Sequence, residues 1–247
     1  MVYFGLIGHP LGHSFSQAYF TKKFAREKID ARYENFDLKD LSEIRQLLNQ
    51  HTDLKGFNVT IPYKEAIIHY LDEIDETAKE VGAVNTVKVL ENGRLKGYNT
   101  DILGIEATLA MSVRGTSKGT SVTPALIFGT GGVSKAVQYV LKKHNINFHL
   151  VSRNPEKGHF TYEALTPDVI KQHLLIINAT PVGMAPNIDE APVIPYEALT
   201  SQHVLFDLIY NPEETLFLKR GKERSAQTIN GLSMLYAQAE ASWRIWN

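Results

Sequence analysis

The chain has 247 residues, 43% of them apolar and 21% charged, a length and balance that suit one large or two small globular domains with a sizeable core. Twenty-six basic against 27 acidic residues leave a formal charge of -1 with no basic run, which argues against nucleic acid as a partner. The absence of cysteine removes disulfides, thiolate metal sites and cysteine nucleophiles together.

The opening MVYFGLIGHPLGHSF lacks a basic start, and Gly5, Gly8, His9 and Pro10 interrupt its apolar run, so it is not read as a signal peptide. No run approaches the roughly 20 apolar residues that span a bilayer. A cytoplasmic protein with small ligands and no membrane partner is expected. Strands are predicted over 3–7, 31–36, 56–61 and 83–90, with helices over 16–28, 40–50 and 63–71 between them. That alternation predicts a mostly parallel sheet covered by helices. Within it, Gly56-Phe57-Asn58-Val59-Thr60-Ile61-Pro62-Tyr63-Lys64 reads as a strand with Asn58 and Thr60 on one face and Phe57, Val59 and Ile61 on the other. Pro62 ends the pairing, so Tyr63 and Lys64 leave the C-terminal end of the sheet and start a helix there. Ligands bind at that end in open α/β sheets.

Asn92-Gly93 predicts a hairpin with a primed turn, and 101–111 reads as a helix. Residues 112–123 include eight Ser, Thr or Gly in twelve, a shift in composition that marks a connection between domains. A second α/β unit follows, with strands over 125–128, 148–152, 174–178 and 204–208, a helix over 133–143 and an amphipathic C-terminal helix over 232–246. Pro155, Gly158 and Pro167 leave room only for a short helix between Arg153 and Leu174.

Gly129-Thr130-Gly131-Gly132-Val133-Ser134 joins an apolar strand to a helix, the setting of a dinucleotide-binding turn, with Gly131 letting the pyrophosphate approach the backbone. The same glycines would serve an ordinary strand-to-helix turn. Arg153 lies 22 residues after Gly131, where NAD-binding domains place a carboxylate, and a guanidinium there suits a 2′-phosphate, so NADP is favoured. Lys64 can manage a hydroxyl proton and stabilise alkoxide charge, and Asp101, at the start of a helix, is a second candidate for that pocket. Solvation of the lysine and helix capping by the aspartate are the plain alternatives. Ser14 and Ser16 lead into a helix and offer a carboxylate site, although one of them could simply cap that helix. His9 and His13 are separated by glycine and proline, and no metal is expected.

Together these segments, with Gly82-Ala83-Val84-Asn85-Thr86, Gly97 to Asp101, Ile177-Asn178-Ala179-Thr180-Pro181-Val182-Gly183-Met184 and Asn230-Gly231-Leu232-Ser233-Met234-Leu235, resemble the shikimate dehydrogenase family in order along nearly the whole chain. The resemblance implies two domains. A substrate domain of residues 1–111 plus 232–247 is followed by a Rossmann-like NADP-binding domain of residues 112–231, with the last helix returning to the first. It also implies reversible NADPH-dependent reduction of 3-dehydroshikimate to shikimate. By the same carry-over Lys64 and Asp101 are the catalytic couple, and Ser14 and Ser16 hold the substrate carboxylate. Thr60, Asn85 and Gln238 bind ring hydroxyls, with Tyr210 near the carboxylate. Gly129, Gly131, Gly132, Arg153, Thr180 and Gly231 take the cofactor. A monomer or homodimer is expected.

The chain departs from the family in Gln17-Ala18-Tyr19-Phe20, where proline usually follows the second serine, and in Ser152-Arg153-Asn154 where Asn-Arg-Thr is usual. Lys157 is the candidate for a second cationic contact to the phosphate. A quinate or quinate/shikimate dehydrogenase is the alternative within the family, and a non-catalytic nucleotide-binding regulator the alternative outside it.

Overall fold

The computed structural model describes residues 1–12, 14–113 and 123–247, so most of the Ser/Thr/Gly-rich connection and His13 lie outside the described residues. The chain divides into two compact units, Met1–Thr100 with Ala239–Asn247, and Asp101–Gln238.

The first unit begins with β1 (Val2–Gly8), α1 (Phe15–Glu27) and β2 (Ala31–Asp37) and continues through α2 (Ile44–Gln50) to β3 (Leu54–Val59). β4 (Glu73–Ile74), α3 (Glu76–Val81), β5 (Thr86–Val89) and β6 (Leu95–Tyr98) complete it. The sheet order is β2-β1-β3-β5-β6-β4. β1 pairs in parallel with β2 and β3, while β5 runs antiparallel to both β3 and β6. Alternation along β1 splits its side chains between two cores. Ile7 joins Phe57, Val59, Ile67, Val84 and Val87 on one face, and Phe4 and Leu6 join Phe20, Phe24, Tyr33 and Trp246 on the other. Complete burial of a ring such as Phe20 contributes about 2 to 3 kcal/mol.

Three expectations change here. The strand holding Asn58 ends at Val59, and Ile61, predicted to share the face of Phe57 and Val59, is 58% exposed. The predicted helix over 63–71 is only a 3-10 turn, Ala66–Tyr70, because the Lys64 carbonyl accepts from Val84 N (2.7 Å) and the Tyr63 hydroxyl is tied to the Leu38 carbonyl (2.7 Å). The 92–93 hairpin exists, but Leu90 pairs with Arg94 across three residues, with only Gly93 at positive φ (+77°). This is a type I turn followed by a left-handed glycine rather than a primed two-residue turn.

The second unit comprises α4 (Asp101–Val113), β7 (Ala125–Phe128), α5 (Gly132–Lys143), β8 (Phe148–Val151), α6 (Pro167–Gln172), β9 (Leu175–Asn178), β10 (Val204–Asp207), α7 (Leu216–Glu223) and β11 (Gln227–Ile229). α8 (Leu232–Trp246) starts in this unit and ends in the first. All five strands are parallel, in the order β11-β10-β9-β7-β8. The inner strands are the most buried, with Ala125-Leu126-Ile127-Phe128 of β7 and all of β10 buried and only Leu175 of β9 half-buried, as a sheet covered on both faces requires, whereas the outer strands β8 and β11 are partly exposed.

A dinucleotide-binding sheet classically has one more strand outside β8. Here that strand is a single parallel bridge, Val151 to Phe160. The short stretch after Arg153 returns at once, with Ser152 N donating to the Phe160 carbonyl (3.0 Å), and the His159 ring accepts from Leu150 N at Nδ1 (2.9 Å) where a strand carbonyl would otherwise sit. No helix among the described residues is long and apolar enough to cross a membrane.

Beside this edge the His149 and His173 rings bond to each other (Nδ1 to Nε2, 2.8 Å). His173 Nδ1 donates to the Val169 carbonyl (2.6 Å), which in the neutral ring leaves Nε2 to accept from His149 Nδ1. Burial holds both imidazoles below their ordinary range, and His173 and His159 add repulsion at His149. Between the ordinary value near 6.5 and these lower ones the unfolded chain binds more protons, so this pair's stability is present above that window and lost as pH falls through it. His149→Gln should therefore lose less apparent Tm between pH 7.5 and 5.5 than the wild type, by about 2 to 4 °C in thermal melts. Parallel curves would refute the assignment.

Candidate functional site

In the first unit the two serines tie α1 to β2. Ser14 caps α1, accepting from Gln17 N (3.1 Å), and donates to Asn35 Oδ1 (2.8 Å). Asn35 in turn donates to Gln17 Oε1 (3.2 Å), which gives this chain's departure at Gln17 a partner. Ser16 hydrogen-bonds the phenol of Tyr33, two residues from Asn35 and on the same face of β2. A carboxylate arriving at this loop would have to take the Ser14 proton from Asn35.

Tyr33 passes the network inward, donating to Asn58 Oδ1 (2.8 Å). The Asn58 amide nitrogen reaches the Asn85 carbonyl (3.2 Å), Thr86 Oγ1 (3.0 Å) and Ser242 Oγ (2.9 Å). Asn58 is thus an internal hub. Asn85 Oδ1 accepts from Thr100 N (2.7 Å) and from the Thr100 and Thr86 hydroxyls (3.1 and 3.2 Å), which fixes the orientation of its amide. Thr60 follows β3, with its N–H on the Ile7 carbonyl (2.8 Å) and its carbonyl accepting from Tyr63 N (2.9 Å). Lys64 is half-buried four residues further on.

In the second unit the expected cofactor residues all lie just past the C-terminal ends of parallel strands. Gly129 follows β7, Arg153 follows β8, Thr180 follows β9 and Gly231 follows β11. The switch in strand order falls between β7 and β9, the place where such sheets bind ligands. Gly129 has φ +96°, and a Cβ there would meet the Ala179 carbonyl and Thr180 at 3.0 Å. Gly131 faces open space. Behind it α5 starts with no side-chain cap and no acid in its first turn. By contrast Ser14, Asp75, Thr166 and Thr215 each cap their own helix. An uncapped, unopposed helix N-terminus beneath a bare glycine fits a phosphate. Ser134, where the fingerprint has Gly or Ala, is buried and donates to the Gly129 carbonyl (2.7 Å), closing the turn.

Arg153 is exposed, next to Asn154, whose side chain caps the following 3-10 turn. Gly231 sits so close to β10 that a Cβ would meet the Leu208 carbonyl at 2.2 Å. Asp101 opens α4 and is 1% exposed, while Tyr210 and Gln238 are half-buried, one just past β10 and the other within α8. Sequence reasoning missed the supporting residues Asn35, Tyr33, Ser242 and Thr100 and, in this unit, Asp207 and Thr215. Asp207 did leave a signal, as a lone acid closing the apolar run Val204-Leu205-Phe206.

Residues 6–87 match the family model described as the shikimate dehydrogenase substrate binding domain. The shikimate dehydrogenase (NADP(+)) of Methanococcus maripaludis is 41% identical over 98% of this chain and 90% of its own. A Thermus thermophilus shikimate 5-dehydrogenase solved with NADP(H) and shikimate has a TM-score of 0.85 at 30% identity, covering 100% of this chain and 94% of that one. A quinate dehydrogenase from Corynebacterium glutamicum, solved with NAD, has a TM-score of 0.84 at 26% identity over 100% and 93%.

Proposed function

Because the chain belongs to the shikimate dehydrogenase family, we propose that it catalyses the reversible NADP-dependent reduction of 3-dehydroshikimate to shikimate. The observation that carries this reading is the 41% identity, across nearly the full length, to an NADP-dependent member. The uncapped start of α5 and the open space at Gly131 supply a physical place for the pyrophosphate.

Gly129, Gly131 and Gly132 hold the pyrophosphate and Arg153 the 2′-phosphate, with Thr180 and Gly231 bordering the rest of the dinucleotide. The bound dinucleotide supplies or accepts the hydride. Ser14 and Ser16 hold the substrate carboxylate with Tyr210 nearby, and Thr60, Asn85 and Gln238 orient the ring hydroxyls. Lys64 donates a proton to the ketone oxygen as it becomes an alkoxide and takes it back in the oxidation, and Asp101 shares the proton handling. The reading describes a cytoplasmic enzyme, a monomer or homodimer, acting on a small carboxylate.

The test is a spectrophotometric assay of shikimate and quinate oxidation with NADP and with NAD, run on the wild type and on Arg153→Ala. Shikimate with NADP should be the best pair. The variant should lose about 1.5 to 3 kcal/mol of NADP binding, roughly 10- to 150-fold, with little change for NAD. Equal losses with both cofactors would detach Arg153 from the phosphate, and preference for quinate would select the other branch of the family.

A further inference from the structure

The C-terminal edge of the second sheet rests on a buried carboxylate that the proposed chemistry leaves unassigned. Asp207 ends β10 and is 0% exposed. Its Oδ1 accepts from Asn178 Nδ2 (3.1 Å) and Ile209 N (3.0 Å), and its Oδ2 accepts from the Thr215 hydroxyl (2.6 Å). Each donor belongs to a different stretch of the edge. Asn178 ends β9, and its own Oδ1 accepts from the N–H and hydroxyl of Thr180 (3.1 and 2.6 Å), while its nitrogen also reaches the Val182 carbonyl (3.2 Å). One amide therefore shapes the first turn of residues 179–184. Ile209 opens the loop after β10, and its carbonyl accepts from Gly231 N (2.9 Å). Thr215 caps α7.

A carboxylate is a costly way merely to fasten loops. Burial pushes Asp207 up to about 6, against hydrogen bonds from Thr215, Ile209 and Asn178 that pull it down. Its charge acts on the Tyr196 phenol, itself packed under the Arg220 guanidinium (5.0 Å from ring centroid). What a carboxylate supplies and an apolar side chain does not is direction. Being acceptor-only when ionised, it obliges Asn178 and Thr215 to aim donors at it, which sets the Asn178 amide and hence Thr180.

We propose that Asp207 is a positioning residue, whose carboxylate holds residues 179–184 and 208–211 in the arrangement that hydride transfer requires. This rests on the reading that the unit holds the dinucleotide. It is tested by amide hydrogen exchange, NADPH affinity and turnover in Asp207→Ala and Asp207→Asn. In the alanine variant, exchange at Thr180, Val182 and Ile209 should rise at least about 10-fold and kcat should fall about 10- to 100-fold, as a small misplacement of reacting groups produces. NADPH affinity should change by less than about fivefold, since the glycine turn and Arg153 are untouched.

The asparagine variant can accept from Asn178 and Ile209 through its oxygen and donate to Thr215 through its nitrogen. It should recover most of the exchange protection and come within about fivefold of wild-type kcat, while removing any inflection near pH 6 from the kcat profile. Unchanged exchange and kcat in the alanine variant would overturn the proposal. So would faster exchange throughout the unit with equal losses of affinity and turnover, or an asparagine variant no better than alanine. If Asp207→Ala does not fold, Asp207→Asn and Thr215→Val carry the same comparison. A wild type that bound no NADPH would remove the functional reading, whereas exchange at the three amides would still decide whether Asp207 holds the loops.

Discussion

Lys64→Ala is expected to lower kcat by about 10² to 10⁴ while KM for shikimate and the melting temperature change little. The split follows from what holds the residue. The backbone of Lys64 is fixed by its carbonyl accepting from Val84 N (2.7 Å), and its neighbour Tyr63 is buried and bonded to the Leu38 carbonyl (2.7 Å). Neither anchor uses the lysine side chain, so truncation removes the ammonium and leaves the loop in place. Loss of the proton donor proposed for the ketone oxygen should remove several kcal/mol of transition-state stabilisation. Steady-state kinetics in both directions, with melts on the same preparation, decide it. Turnover within a factor of three of wild type would remove Lys64 from the mechanism.

Gly56→Ala should be the most damaging single methyl added to the first unit. A Cβ at Gly56 would meet Trp246 Nε1 at 2.2 Å, Trp246 Cδ1 at 2.3 Å and the Val87 carbonyl at 2.8 Å. Those atoms are themselves a buried hydrogen bond, Trp246 Nε1 to the Val87 carbonyl (2.9 Å). The methyl therefore competes with an indole that stacks on Phe4 (4.9 Å between centroids) and leans on Phe20 (5.5 Å). Moving Trp246 or parting β3 from β5 should cost about 3 kcal/mol, which corresponds to roughly 6 to 12 °C in Tm. Combined with Trp246→Ala, Gly56→Ala should add far less than it costs alone, because the obstacle has gone. Additive losses in that double variant would show that the indole is not what the methyl meets.

Local patterns made much of this protein legible. Alternation along β2 and apolar runs in β1 and β7 placed those strands within a residue or two, and Gly129 to Ser134 marked the turn onto α5, because each signal lies within one stretch of chain. The segment after Pro62 was misread as a helix because the competing bond, Val84 N to the Lys64 carbonyl, comes from 20 residues away. α3 was readable but passed over. Asp75 accepts from Thr77 N at its start and Gly82 closes it with φ +69°. β11 has three residues, too few for periodicity to register. The site residues divide in the same way. Gly131 and Arg153 stand out by spacing, whereas Thr100, which bonds Asn85, and Asp207, which holds the Asn178 that bonds Thr180, are joined to them only when distant segments fold together.

The ring of His159 also bears on how a protein of this kind can become smaller. Deleting a terminal strand bares a row of amide donors that invites other molecules to add themselves in register, the first step toward fibrils and swapped dimers. By satisfying Leu150 N, a single imidazole, with Phe160 taking Ser152 N, removes that invitation. The sheet thereby stops at β8 without leaving a sticky seam.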